Sequence, residues 1–140
     1  MIDTATNTVV STYQAGRGPY RVVVSPDGTK LYVTNSVDKT VSVLNAQTGA
    51  TIGNVHVGDE PWGIAVTPDG QRVYVANHSD NTVTVIDTAT NTVIDTVPVG
   101  TGPINIAISQ DGTHVYVTDN TAGTVSVISV VPGASGAIDV

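Results

Sequence analysis

Nine side chains carry most of the functional groups with any promise of chemistry: Arg17, Tyr20, Arg21, Asp59, Glu60, Trp62, His78, Asp80 and Asn105. Guanidinium and carboxylate groups pair with charged ligands or with one another. Trp62 and Tyr20 offer flat faces to a sugar or a peptide side chain. His78 with Glu60 or Asp80 has the makings of an acid–base pair, which a lyase or hydrolase would use if these groups met in one cleft. No nucleophile elbow, Walker or dinucleotide-binding pattern accompanies them. The chain has no cysteine, which excludes disulfides, thiolate chemistry and Cys-ligated zinc. Acidic turns such as Asp80 and Asp119-Asn120 lack the spaced ligands and distal Glu of a calcium loop. Asn77-His78-Ser79 fits a glycosylation sequon and is read as a chance match. No metal and no cofactor is expected.

The elements that must position these residues form a repeat. GRGPYRVVVSPDGTKLYV begins at Gly16, GDEPWGIAVTPDGQRVYV at Gly58 and GTGPINIAISQDGTHVYV at Gly100. Pro19, Pro61 and Pro103 recur every 42 residues, as do Tyr32, Tyr74 and Tyr116, with no insertion between copies. In that frame His56, His78 and His114 occupy three different positions, so no histidine cluster is expected within one chain.

Each copy reads as four short strands. Strand A is an apolar run, Trp62 to Thr67 in the middle copy. Thr67-Pro68-Asp69-Gly70 follows, a tight turn in which Pro presets φ and Gly accepts a positive φ. Strand B runs from Arg72 to Ala76, and strand C begins at Thr82 with the two-residue alternation TVTVI. Asn7, Gly49 and Asn91 align in the next turn, which marks a single left-handed position. Strand D is Thr92 to Val99, with counterparts at Thr8 to Ala15 and Ala50 to Val57. No segment has helical periodicity. The composition agrees: 40% apolar, no Phe, 14 Gly and 7 Pro, with Val and Ile dominant. Four strands in about 40–45 residues is the signature of a β-propeller blade, so the fold class expected is all-β with three blades per chain.

YVTN at Tyr32 to Asn35, YVAN at Tyr74 to Asn77 and YVTD at Tyr116 to Asp119 carry a family resemblance. With a surrounding pattern of G-x-x-P, then S-P-D-G, then a strand close to T-V-S-V-I-D, they resemble the YVTN repeat over Ile2 to about Ile128. That resemblance implies β-propellers, commonly seven-bladed, in bacterial and archaeal proteins that are often exported or surface-associated. It implies no single activity, since one fold hosts many. Gln110 for Pro and Asp119 for Asn depart from the pattern.

The strand order D-ABCD-ABCD-ABC spans residues 1–128, with 129–140 left as a loose tail. Three blades are fewer than the about 4–8 of propellers. A homodimer closing to a six-bladed ring is therefore expected, each N-terminal D strand completing the partner's last blade. A nine-bladed trimer and a fragment of a longer propeller are the alternatives. Net charge is −7, from twelve acids and five bases, which argues against nucleic acid. No stretch is apolar enough to span a membrane as a helix, and the N-terminus lacks the pattern of a signal peptide. The chain is then cytoplasmic, or has lost a leader, or is a piece of a longer protein. With no catalytic motif, the function expected is a non-catalytic scaffold binding a protein, peptide or glycan on the ring face. The lyase or hydrolase is the second reading.

Overall fold

The computed structural model describes residues 1–130 and the strand Ile138–Asp139. A small hairpin, β1 (Ile2–Asp3) with β2 (Thr8–Val9), leads into three antiparallel sheets. The first blade is β3 (Pro19–Val24), β4 (Lys30–Asn35), β5 (Thr40–Asn45) and β6 (Thr51–His56). The second is β7 (Pro61–Val66), β8 (Arg72–Asn77), β9 (Thr82–Asp87) and β10 (Thr92–Pro98). The third is β11 (Pro103–Ile108), β12 (His114–Asp119), β13 (Thr124–Val130) and β14 (Ile138–Asp139). In each blade the strands pair in chain order, as a meander requires. Among the described residues there is no helix.

The A–B turns show why the sequence folds this way locally. Ser25 Oγ donates to Asp27 Oδ1 at 2.6 Å, Thr29 N–H donates to the same oxygen at 3.0 Å, and Gly28 stands at φ 77. Thr67, Asp69 and Gly70 repeat this arrangement, and so do Ser109, Asp111 and Gly112. Gln110 in place of Pro changes nothing in it, because the Asp carboxylate and the left-handed Gly define the turn. Asn7, Gly49 and Asn91 have φ of 54, 75 and 54, as their alignment predicts.

The blades stack face to face. Tyr32, Val41 and Val43 of the first meet Ile64, Val73, Val75 and Ile86 of the second. Tyr74, Val83, Val85 and Val97 of the second meet Ile106, Val115, Val117 and Ile128 of the third. Alternate residues of each strand point to opposite faces. One blade thus supplies half of two interfaces, and its strands read as continuous apolar runs. Gly63 sets the approach of β7 to β11, since a Cβ there would lie 2.7 Å from Asn105 Cα and from Ile104 O.

Two boundaries differ from expectation. The first D strand, expected over Thr8–Ala15, is only Thr8–Val9 and pairs with β1, there being no blade beside it to extend the ladder. Tyr13 instead anchors the segment to the first blade, its hydroxyl donating to Gln47 O at 2.8 Å over Gly49. At the other end β13 reaches Val130 and pairs with Ile138–Asp139. Residues 131–137 and 140 of the expected loose tail lie outside the described residues.

Candidate functional site at the mouth of the blade arc

The D–A loops and B–C turns meet on one face of the arc. Ser36 N–H donates to Gly18 O at 2.7 Å, His78 N–H to Glu60 O at 3.0 Å, and Asn120 N–H to Gly102 O at 2.8 Å. A buried asparagine behind each of the first two pairs holds the loop. Asn35 Oδ1 accepts Gly16 N–H at 3.0 Å while its Nδ2 donates to Thr40 and Ser42. Asn77 does the same for Gly58, Thr82 and Thr84. These contacts bring residues 18 positions apart in sequence within hydrogen-bond reach.

The second blade carries the densest cluster. Gly18 and Gly102 have φ of 68 and 70, and the residue between them in the 42-residue frame is Glu60, at φ 51. A left-handed glutamate is uncommon and costs on the order of 1 kcal/mol or more, and such outliers gather at functional sites. Here it aims the carboxylate at the B–C turn. Glu60 Oε2 lies 3.2 Å from His78 Nδ1 and accepts a short hydrogen bond from the Ser79 hydroxyl. The Ser79 and His78 bonds, in that order, hold the Glu60 carboxyl below its ordinary pKa. With Nδ1 engaged by a carboxylate, Nε2 is the His78 nitrogen left to exchange a proton.

The His78 ring is stacked on Trp62, centroids 3.9 Å apart and planes 16° apart. Tyr20 stacks on Trp62 at 5.4 Å and 13°. The half-buried indole thus stacks with a ring from each of two blades, and Tyr20 is 55% exposed. Trp62 acts as a spacer between the first blade's tyrosine and the second blade's histidine.

The other expected residues serve the frame of this face. Arg17 Nε donates to Asp38 Oδ1 at 2.7 Å and Arg17 N–H to Asp38 Oδ2 at 2.8 Å. The backbone bond first, then the guanidinium, lowers the Asp38 pKa. Asp59 pairs with Lys39 Nζ at 2.6 Å, which raises the lysine pKa, and Asp59 N–H donates to Asp80 Oδ2 at 2.9 Å. Asp80 is thus a loop-holding residue and stands outside the Glu60–His78 pair. Arg21 and Asn105 are exposed on strands β3 and β11. Arg21 N–H donates to Thr34 Oγ1, and Asn105 backs onto Gly63. Two members of the site were not singled out from sequence, Ser79 and Lys39. The signal for the cluster was Glu60 standing where its repeat mates are Gly18 and Gly102.

Stacked four-stranded blades with their variable residues gathered at one mouth define a β-propeller. Residues 3–139 match the family described as lactonase, 7-bladed beta-propeller, and the chain belongs to that family. Comparison with curated proteins returned no match. Among solved structures, hydrazine synthase of Kuenenia stuttgartiensis is 32% identical, over 88% of this chain and 36% of that one, with a TM-score of 0.79. A functionally unknown protein from Desulfotomaculum acetoxidans is 25% identical, over 99% of this chain and 45% of that one, with a TM-score of 0.87. The periplasmic gluconolactonase of Pseudomonas aeruginosa is 24% identical, over 88% and 38%, with a TM-score of 0.76, which is likeness of fold. The chain spans less than half the length of each of these structures.

The family match corrects the expected function. Membership of a family described as lactonase counts against the non-catalytic scaffold and the non-enzyme that the absence of motifs implied. The physical reason is that a propeller assembles its reactive groups from separate loops, so no contiguous motif need exist.

Proposed function

We propose that this chain contributes to a hydrolase that opens lactones, with its site at the channel mouth around Glu60, His78 and Trp62. The observation that carries the reading is Glu60, a carboxylate held in left-handed backbone against His78 Nδ1. His78 takes a proton from water through Nε2, and the hydroxide oxygen adds to the lactone carbonyl carbon. The tetrahedral alkoxide collapses by breaking the ring C–O bond, and the departing ring oxygen takes the proton back from His78. The product is the open-chain hydroxy acid. Glu60, kept ionised by Ser79 and His78, offsets the charge of the imidazolium. The exposed ring of Tyr20 suits the apolar face of a sugar ring. Aldonolactones are the substrate class to try first, because a gluconolactonase shares the fold.

The finer repeat assignment rests on YVTN, YVAN and YVTD, which support a YVTN-type subclass within the family. Closure of the ring by a second copy belongs to the same reading, because the mouth is enclosed only when blades also stand on its far side. The test is gluconolactone hydrolysis at constant pH by the chain and by His78→Gln. Loss of general-base catalysis should lower kcat by about 10²–10⁴ with thermal stability retained. Equal rates in the two proteins, or no hydrolysis by either, would refute the assignment.

A further inference from the structure

The A–B turns of neighbouring blades meet at the end of the strands away from the mouth. Arg72 opens β8 there, while Asn77 closes the same strand beside the D–A loop. Between the second and third blades this end holds a cleft of about 180 Å³, walled by Thr67, Pro68, Asp69 and Arg72 on one side and by Asp111 and Gly112 on the other. An apolar cavity of about 150 Å³ holds benzene, so the space suits a ligand of about six to eight non-hydrogen atoms.

The cleft has a buried cation and exposed anions. Arg72 is 6% exposed, and its Nη1 has no hydrogen-bond partner. The hydroxyl of Tyr74, two residues along the same face of β8, is equally shut in and unpartnered. Burial raises the Tyr74 pKa, and the Arg72 guanidinium beside it works the other way. Among the described residues no ion pair involves Arg72. A buried cation is costly unless a partner completes its hydrogen bonds. At the rim stand Asp69 and Asp111, both exposed. Oδ1 of Asp69 accepts Thr67 Oγ1 and Gln71 N–H, and Oδ1 of Asp111 accepts Ser109 Oγ and Thr113 N–H. Oδ2 of each has no partner among the described residues. A simple anion would meet two like charges at the rim, and a simple cation would meet Arg72 inside. A zwitterion meets neither obstacle.

We propose that this cleft binds a small free α-amino acid, its carboxylate on the Arg72 guanidinium and its ammonium between Asp69 and Asp111. The guanidinium offers parallel N–H groups to one carboxylate, and the two Oδ2 atoms are acceptors for an ammonium. The first junction has the corresponding cleft, about 270 Å³, with Lys30 in the place of Arg72. Lys30 is half-buried and presents a point charge in place of a fork, so the second junction is the site.

Titration of the full chain with L-alanine at neutral pH, followed by amide NMR, tests this. Saturable shifts are expected at Gln71, Arg72 and Gly112, with His78 at the mouth unmoved. Acetate and methylamine each carry one of the two charged groups, and each should bind about tenfold or more weakly than alanine. Arg72→Met should abolish alanine binding, and Lys30→Met should leave it unchanged. Asp111→Asn keeps the Oδ1 acceptor of its turn, so it should weaken alanine without weakening acetate; it decides the matter if Arg72→Met does not fold. No saturation by alanine, acetate or inorganic phosphate bound as tightly as alanine, or full binding by Arg72→Met or Asp111→Asn would each overturn the proposal. The cleft and the mouth lie at opposite ends of the strands, so alanine binding and lactone hydrolysis can each fail without the other.

Discussion

Asp119→Asn should stabilise the protein, and the structure supplies the size of the effect. Asp119 is 1% exposed and stands where the other two repeats have Asn35 and Asn77. Each asparagine uses both ends of its amide, accepting a loop N–H on Oδ1 and donating twice through Nδ2. In Asp119 the hydroxyls of Thr124 and Ser126 both donate to Oδ2, at 3.0 and 2.6 Å. Oδ1 has no hydrogen-bond partner, and Gly100 N–H turns to Ser126 Oγ at 3.1 Å. The substitution removes a buried charge that has no cation among its hydrogen-bond partners. It also lets Oδ1 accept Gly100 N–H as its repeat mates do. Leaving a buried polar atom unpaired costs about 1–3 kcal/mol, so the gain should fall in that range. For a chain of this length that is about 3–10 °C in Tm. Thermal and urea unfolding of the parent and variant, with Asn77→Asp as the reverse change, measure it. A lower Tm for Asp119→Asn, or no loss in Asn77→Asp, would refute the hydrogen-bond accounting.

Glu60→Gly restores the residue type of Gly18 and Gly102 at a left-handed position, and should raise stability by about 1 kcal/mol while removing the His78 partner. A rise in Tm together with a fall in lactone hydrolysis is expected; a fall in both would show that the carboxylate is structural. The pH dependence follows from the A–B turns. Asp27 and Asp111 are lowered from 3.8 to about 2, chiefly by the hydroxyls of Ser25 and Ser109, with Thr29 and Thr113 adding to it. A depressed carboxylate stabilises the fold above its unfolded pKa and loses that contribution as pH falls through its folded one. Stability should therefore be retained at pH 4 and decline towards about pH 2, and Asp27→Asn should flatten the decline. Acid titration followed by circular dichroism, with an identical slope in parent and variant, would count against this turn as a source.

The blade was legible because its determinants are local. Strand β8, expected at Arg72–Ala76, is Arg72–Asn77, and β7, expected at Trp62–Thr67, is Pro61–Val66. Asp27, Asp69 and Asp111 close their turns on residues two positions away, so spacing alone exposes them. Other left-handed positions escaped notice, among them Lys39, Asn81 and Gly123. Lysine there breaks the Asn/Gly pattern on which such a reading relies. The candidate site was legible as a set of residues but not as a geometry. Tyr20 and Trp62 could be read either as stacking surfaces for a ligand or as aromatics packed against a neighbouring blade, and they stack on each other across two blades. His78, Asp80 and Glu60 looked equivalent, yet only His78 and Glu60 are paired, while Asp80 serves the Asp59 backbone.

By itself the sequence determined the repeat, its four strands, its turns and the sidedness of its loops. Each follows from hydrogen bonds and side-chain alternation within one hairpin, a range over which residue spacing is a direct record of geometry. The tertiary structure alone decided which loop residues meet. Contact between Tyr20, Trp62 and His78 depends on how far one blade is turned and slid against the next. That offset is set by many packed valines at once and by the close approach of Gly63 to Asn105, and no single residue of the sequence spells it out.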